Sequence, residues 1–374
     1  MNVAPHSSQL LHPSPMGAPE IISEPMARLV RYVDALTGER QRPRAEAALI
    51  EALRDFTAAH RIVYFKLQET PEETLFWPAV DADMTEIRVI DDGVNPPAHL
   101  SSIEQHPDIR VRLSDTSTQP FDCPGGKRYV FPVPGPGSAS GFVEFDVVSP
   151  LDATVVQIVT ALINTFRNVM GLLDYSESDT LTGLLNRKTF DEHLMHILAN
   201  LTDDDDTTAP KTRLPKRRRH HPEIANHWLA VLDIDHFKRI NDNFGHLIGD
   251  EVLLLVANLI KTSFRFRDKL FRFGGEEFVV ILKPTNVGHA HIIFERFRRS
   301  MEGYRFPQVG QVTVSVGYAP IRLNDMPSVI IDNADQALYW SKANGRNQVS
   351  SYEALVASGA ITPTPEVKSD IELF

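Results

Sequence analysis

The stretch LFRFGGEEFVVIL, Leu270 to Leu282, sets two glycines and two glutamates inside an otherwise apolar run. Short apolar runs on either side of glycine read as two strands joined by a tight turn. Gly274-Gly275 permits that turn and a close approach of backbone or phosphate. Glu276 and Glu277 are adjacent, so in regular extended geometry they face opposite sides. A distortion at the turn is needed for both to reach one ion. Taken alone, the stretch also fits the solvent-facing tip of an ordinary hairpin, because such turns are rich in glycine and polar residues.

A second acidic run changes the weighing. HWLAVLDIDHFKRINDNFGHLIGD, His227 to Asp250, begins as a buried strand and ends in Asp233-Ile234-Asp235. Residues two apart on a strand share a face, so both aspartates are placed to point the same way. A helix carrying Lys238, Asn241 and Asp242 follows, with Gly245 and Gly249 expected to break it around His246 and Asp250. If the Gly274-Gly275 hairpin pairs beside the Asp233 strand, three carboxylates converge. Hard oxygen ligands of this kind suit Mg²⁺ held between carboxylates and substrate phosphates. Two such ions activate an attacking hydroxyl and steady a leaving oxygen in phosphoryl or nucleotidyl transfer.

The rest of the C-terminal half alternates helix and strand. RKTFDEHLMHILANL, GDEVLLLVANLIKTSF, GHAHIIFERFRRSM and IDNADQALYWSKANG read as helices, the last stopped by Gly345, and QVTVSVGYAP reads as a strand. The order α-β-α-β-β-α-β-α gives an α+β sheet covered by helices. Residues 201–224 interrupt it with four acids and then six basic residues in nine positions, a block expected to be disordered and solvated.

Upstream the texture differs. EPMARLVRYVDAL and AEAALIEALRDFTAAH carry apolar residues at helical spacing. RIVYFKLQ, TLFWPAV, EIRVI and IRVRL read as short strands, and KRYVFPVPGPGSASGFVEFDVV as two strands joined by a Gly/Pro/Ser loop. Residues 24–148 therefore form an α/β domain with an antiparallel sheet. Residues 149–178 read as a connecting helix, with Ser149 and Asp152 as N-caps. Val155, Ile158, Leu162, Val169 and Leu172 fall on a 3-4 spacing with Thr165 in the missing slot. Two readings stand: a short coiled coil joining two protomers, or a helix packed on its own domain.

The chain has 374 residues and a net charge of −11, which argues against nucleic acid as a partner. A single cysteine, Cys123, precludes an internal disulfide and fits a reducing compartment. Residues 1–23 lack the basic start and apolar core of a secretory signal and read as a disordered leader. No uninterrupted apolar run approaches the length of a membrane helix. The expected location is the cytoplasm, with no membrane partner. Residues 351–374 read as a tail, too short for a further catalytic domain.

DTLTGLLNR at 179–187, DIDHFKRINDNFGHLIGD at 233–250, RFGGEEF at 272–278 and ADQALYWSKANGRNQV at 334–349 together resemble the GGDEF family, the bacterial diguanylate cyclases. The resemblance covers 179–350 and carries the glutamate form of the signature. Leu185 stands where the family usually has proline. The order of elements over 24–148 resembles a GAF-type sensor domain, and a PAS-type domain reads similarly.

The resemblance implies a nucleotide-cyclase palm-like fold and an active transferase condensing two GTP into cyclic di-GMP and two pyrophosphates. It implies that Asp233, the Ile234 carbonyl, Glu276 and Glu277 bind two Mg²⁺ or Mn²⁺ ions per site, with Glu276 helping to deprotonate the attacking 3′-hydroxyl. Lys238, Lys342 and Arg346 would hold the triphosphate, with Phe237 and Gly275 beside it. Lys342 and Arg346, four apart, are expected on one helix face. Asn241 and Asp250 would read guanine, and His246 either lies near the base or is structural. Arg265 and Asp268 form an RxxD pattern, and with Arg296 they match the family's inhibitory product site. Each domain would hold one GTP, so a homodimer is implied, governed by an unknown ligand of the first domain. Two other readings remain: a non-catalytic receptor for cyclic di-GMP using Arg265, Asp268 and Arg296, and a signalling scaffold acting through protein contacts.

Overall fold

The computed structural model describes residues 24–70, 73–90, 100–114, 118–135, 139–203, 225–323 and 325–363. The expected leader, residues 204–224 of the charged insertion and the last eleven residues lie outside these. The chain divides into two units, 1–76 with 80–88 and 102–169, and 77–79 with 89–101 and 170–374.

The first unit opens with helices α1 (Glu24–Gly38) and α2 (Arg42–Thr57), followed by β1 (Arg61–Glu69), β2 (Thr74–Asp83), β3 (Ile87–Val89) and β4 (Ser101–Ser102). Helix α3 (Pro107–Ser114) precedes β5 (Phe121–Cys123), β6 (Gly126–Pro134) and β7 (Ala139–Val147), and α4 (Ala153–Glu177) closes the series. Among the described residues the sheet runs β3-β2-β1-β7-β6-β5, with β4 beside β2. The pairs β1–β7, β7–β6 and β6–β5 are antiparallel, as expected. Alternation sends Tyr64 to one face, where it meets Phe166 of α4 edge-on at 5.6 Å. The next residue, Phe65, lies on the other face and stacks on Phe142 at 4.7 Å.

One expectation fails here. IRVRL was expected as a strand and lies in α3. Pro107 favours a helix start, and Ile109 and Leu113, four apart, pack on Phe76, Ile103 and Phe142. In α4 the buried stripe is Val159, Leu162, Ile163, Phe166, Val169 and Leu173. Leu172 of the expected 3-4 stripe stays outside this packing and is 71% exposed. The helix is apolar on more than one side, so spacing alone did not fix its phase. Of the two expected N-caps Asp152 is the one used, accepting from the Val155 N–H at 2.9 Å. By length and composition α4 is also long and apolar enough to cross a membrane, because a window average tolerates the polar residues that end an uninterrupted run.

In the second unit come β8 (Leu185–Asn186), α5 (Arg187–Asp203), β9 (Asn226–Ile234), α6 (Phe237–Phe244) and α7 (His246–Ser263). The hairpin β10 (Lys269–Gly274) and β11 (Glu277–Thr285) leads to α8 (Val287–Gly303). A small pair, β12 (Arg305–Phe306) and β13 (Gly310–Gln311), precedes β14 (Val314–Ile321), α9 (Pro327–Ala343), β15 (Val349–Ser351) and α10 (Tyr352–Ala357). The sheet order is β15-β14-β9-β11-β10-β8. The expected tail therefore begins as a strand end and a helix, with Tyr352 and Leu355 buried.

Strand β9 is central, antiparallel to both β11 and β14, and its apolar run is buried on two faces. Trp228, Ala230, Leu232 and Ile234 join a core with residues of α7 and α8. Leu229 and Val231 join a core that includes Phe190 of α5 and Ile330, Ala334 and Ala337 of α9. That alternation decides where the acids go: Asp233 shares the parity of Leu229 and Val231 and so faces α9.

His227 begins this strand, buried, with its Nδ1 3.2 Å from the Leu282 carbonyl. Burial and the nearby Lys283 push its pKa down to about 4. The folded value lies below the unfolded one, so the unfolded chain binds the extra proton at mildly acid pH. The contribution is full above about pH 6.5 and declines as pH falls towards 4, by about 3 kcal/mol in all. His227→Gln should remove that slope. Denaturant unfolding at pH 7 and pH 4.5 checks it: an equal acid loss in both proteins would rule His227 out as the cause.

Candidate active site

The glycine turn supplies the distortion the sequence required. Gly274 and Gly275 have φ of 142° and 54°, both in the region that favours glycine. The β10–β11 register shifts between Arg272 and Gly274, and Gly274 pairs with Glu277. Glu276 occupies the turn, its carbonyl accepting from the Ile234 N–H at 3.4 Å. Glu277 lies directly opposite Asp233 across β11 and β9. Directly opposite residues project to the same face, so the two carboxylates share the α9 side of the sheet.

Lys342, in the last turn of α9, meets them there, with its Nζ 2.7 Å from Asp233 Oδ2. Asp233 is buried. Burial raises its pKa, the Lys342 ammonium opposes the rise, and Glu277 and Asp235 add to it. Glu276 is also raised, by burial and then by the Asp233 charge, again opposed by Lys342. Three carboxylates thus share one field around one ammonium.

Among the described residues no group of three or more His, Cys, Asp or Glu side chains is already spaced to hold a metal ion. The donor set nevertheless fits a hard divalent cation: carboxylate oxygens, a strand-end carbonyl at Ile234 and excess negative charge now balanced by Lys342.

Asp235 has a different fate from Asp233. Its Oδ1 accepts from the Ser315 hydroxyl at 2.7 Å, and its Oδ2 from the Thr313 hydroxyl at 2.7 Å and the Asn347 N–H at 3.0 Å. It is consumed in joining β9, β14 and the turn after α9. The expected single helix face for Lys342 and Arg346 is not formed either. Helix α9 ends at Ala343, and Arg346 sits beyond it with a left-handed φ of 63°. Asn344 and Gly345 stop the helix first.

Phe237 is buried at the start of α6, and Lys238 beside it is exposed. Gly249, expected to break a helix, lies buried inside α7. A Cβ there would fall 1.9 Å from Asn241 Oδ1, so this glycine lets the Asn241 carboxamide lie against α7, next to Asp250. His246 opens α7 and is exposed.

At the expected product site Arg265 is exposed. Asp268 Oδ2 accepts from the Arg265 N–H at 2.9 Å and Oδ1 from the Lys283 N–H at 3.2 Å, so this carboxylate closes the turn after α7. Burial raises its pKa and these hydrogen bonds oppose the rise. Arg296 of α8 donates to the Ser263 carbonyl at 2.6 Å, two residues before Arg265.

The sequence reading missed Arg272. Its guanidinium donates to the Gly275 carbonyl at 2.9 Å and pairs with Asp179 at 2.9 Å. Asp179 also accepts from the Thr182 hydroxyl and N–H. Nearby, the Asn186 amide donates to the Ser176 carbonyl and the Thr189 hydroxyl to the Glu177 carbonyl, so the DTLTGLLNR segment and the start of α5 cap the end of α4. The available signal was the arginine two residues before Gly274 and an acid in a separate motif.

A family profile described as "Diguanylate cyclase, GGDEF domain" matches residues 211–348. The diguanylate cyclase DgcP of Pseudomonas aeruginosa is 38% identical over 175 residues, covering 46% of this chain and 23% of that protein. The response regulator PleD of Caulobacter vibrioides is 36% identical over 183 residues, covering 47% and 36%. The chain thus spans well under half the length of these curated relatives. Among solved structures, the GGDEF domain of DgcB from Caulobacter crescentus in complex with c-di-GMP is 32% identical. That match covers 47% of this chain and 96% of that one, with a TM-score of 0.41. The chain carries a GGDEF domain, in the glutamate form of its signature, in its C-terminal half.

Proposed function

We propose that the protein is a diguanylate cyclase that joins two GTP molecules into cyclic di-GMP and releases two pyrophosphates. The observation that carries this reading is the register that sets Glu277 opposite Asp233, with Glu276 in the adjoining turn and Lys342 among the three. The intact carboxylate and lysine set is what a cyclase requires and a mere product receptor does not.

Asp233, the Ile234 carbonyl, Glu276 and Glu277 would hold Mg²⁺ or Mn²⁺, two ions per site. An ion held there would supply Lewis-acid activation of the 3′-hydroxyl and charge neutralisation on the phosphates. Lys342, released from Asp233, would with Lys238 and Arg346 hold the triphosphate through charge-assisted hydrogen bonds. Asn241 and Asp250 hydrogen-bond the guanine edge, Asn241 as donor and acceptor and Asp250 as acceptor. Glu276 accepts the proton of the 3′-hydroxyl. The 3′-oxygen of one GTP attacks the α-phosphorus of the other and pyrophosphate leaves. A second, reciprocal attack closes the ring, so two domains must face each other in a homodimer. Leu172 and Tyr175 of α4, 71% and 73% exposed, offer apolar surface for such a pairing. The first unit, read as a GAF-like domain, would tune the cyclase through a ligand of its own, in the cytoplasm where GTP is supplied.

The test is GTP turnover with Mg²⁺ over a range of protein concentrations, with the product identified. Cyclic di-GMP formed at a specific rate that rises with protein concentration supports a dimeric cyclase. Protein stripped of bound product that binds cyclic di-GMP yet never forms it is a receptor instead.

Feedback by product at Arg265, Asp268 and Arg296 belongs to the same proposal. Arg265 is the clean probe, because Asp268 also holds a turn and its loss would weaken the fold. Arg265→Ala should leave the uninhibited rate unchanged and raise the cyclic di-GMP concentration for half-inhibition at least about tenfold, the loss of one charge-assisted phosphate contact. Inhibition curves that superimpose for the two proteins would refute the site.

A further inference from the structure

The turn beyond α9 holds two consecutive residues that are not glycine in the left-handed region, Arg346 at φ 63° and Asn347 at φ 45°. Such residues persist only where the surroundings over-determine them, and they gather at functional sites. The surroundings here act on Asn347. Its N–H donates to Asp235 Oδ2 at 3.0 Å. Its side-chain oxygen accepts from Arg298 at 2.8 Å, and its side-chain amide donates to Glu302 at 2.7 Å. Arg298 is itself fixed on α8 by Glu295 on one side and Glu302 on the other, both at 2.8 to 2.9 Å.

We infer that Asn347, latched to Asp235 of the β9 end and to the Arg298–Glu302 pair of α8, is a positioning residue that sets the backbone of Arg346 so that its guanidinium meets the substrate phosphate. The inference rests on the cyclase reading and deepens it. A flexible turn could present a cation to solvent without strain. Neither Arg346 nor Asn347 gains a packed core by adopting the left-handed conformation: the first is exposed and the second only partly covered. What the conformation achieves is a fixed exit direction for Arg346 relative to Asp233, because Asp235 anchors the same strand end two residues on. Asp235 is buried and receives three hydrogen bonds from two β14-side hydroxyls and this turn. One strand end thus places the Asp233 carboxylate directly and the phosphate-binding arginine through Asn347.

The test is a double-mutant cycle between positions 346 and 347 in the full chain. Asn347→Gly suits it, since glycine takes the left-handed conformation freely and keeps the N–H bond to Asp235, while the side-chain bonds to Arg298 and Glu302 are lost. Thermal unfolding checks that each variant folds. The readouts are KM and kcat for GTP and, independently of turnover, affinity for a non-hydrolysable GTP analogue. Asn347→Gly should raise KM and weaken the analogue about tenfold, as Arg346→Ala does, with a smaller change in kcat. The double variant should be no worse than Arg346→Ala alone, since a positioning residue has nothing left to position. Arg298→Ala should move KM in the same direction by a smaller factor. An Asn347→Gly protein with wild-type KM, or effects that multiply in the double variant, would overturn the inference while leaving the cyclase reading intact. A wild-type protein that neither binds the analogue nor turns GTP over would remove both.

Discussion

Asp233→Asn is expected to lower cyclic di-GMP formation by about a thousandfold or more while leaving the folded state as stable as before, within about 1 kcal/mol. The two effects have one cause. The Asp233 carboxylate is buried opposite Glu277 and beside Glu276, and among the described residues Lys342 balances its charge. Asparagine has the same shape, still accepts from Lys342 and removes one of three crowded negative charges, so the fold loses nothing it relies on. The chemistry loses the oxygen charge that would hold a divalent cation against substrate phosphate. Turnover within tenfold of wild type at saturating Mg²⁺ would show that the carboxylates do not act together. A large fall in melting temperature would show that Asp233 is structural, as Asp235 is.

Gly317→Ala is expected to destabilise the C-terminal unit by about 3 kcal/mol or more, or to abolish its folding. Glycine is needed at this position for space and not for backbone conformation. A Cβ on residue 317 would fall 2.0 Å from the Leu338 nitrogen and 2.3 Å from the Ala334 oxygen, which are backbone atoms of α9 with no flexible end to yield. Helix α9 lies directly on β14 through this gap, and Ser341 of the same helix donates to the Val316 carbonyl at 3.0 Å. Forcing α9 outward also withdraws Lys342 from Asp233, so any protein that does fold should turn over poorly. A melting temperature lowered by about 10 °C is the expected size for a unit of this length. An unchanged value would mean that α9 can shift on the sheet at little cost.

The parts of the site that were legible in the sequence follow from local pattern. HWLAVLDI is too uniformly apolar for anything but a strand buried on both faces, and acids at its end are unusual enough to point to chemistry. The Gly274-Gly275 pair announced the turn that brings Glu276 and Glu277 to that end. The parts that were not legible depend on distant partners. Asp233 and Asp235 are equal in the sequence and differ in the fold only because Thr313, Ser315 and Asn347, 78 to 112 residues away, claim the second. Gly249 was read as a helix breaker and is a space for the Asn241 side chain. In α4 the heptad phase was ambiguous because Val155, Ile158, Val159, Leu162, Ile163 and Phe166 offer two overlapping stripes. In α3 the alternation of Ile109, Val111 and Leu113 with arginines mimicked a strand, and the i, i+4 contact of Ile109 and Leu113 with an aromatic cluster decided otherwise.

The Arg272 clasp makes the junction at Glu177 a splice point. Downstream of it, Asn186 and Thr189 hold the last carbonyls of the incoming helix, and Asp179 holds the arginine that grips the Gly275 carbonyl. Any helix joined at that point inherits the same grip on the glutamate turn, whatever protein it comes from. Two links, Asp179 to Arg272 and Arg272 to the Gly275 carbonyl, connect that joint to the turn. A modular joint of this kind lets the helix leading into the domain be exchanged without redesigning the site downstream.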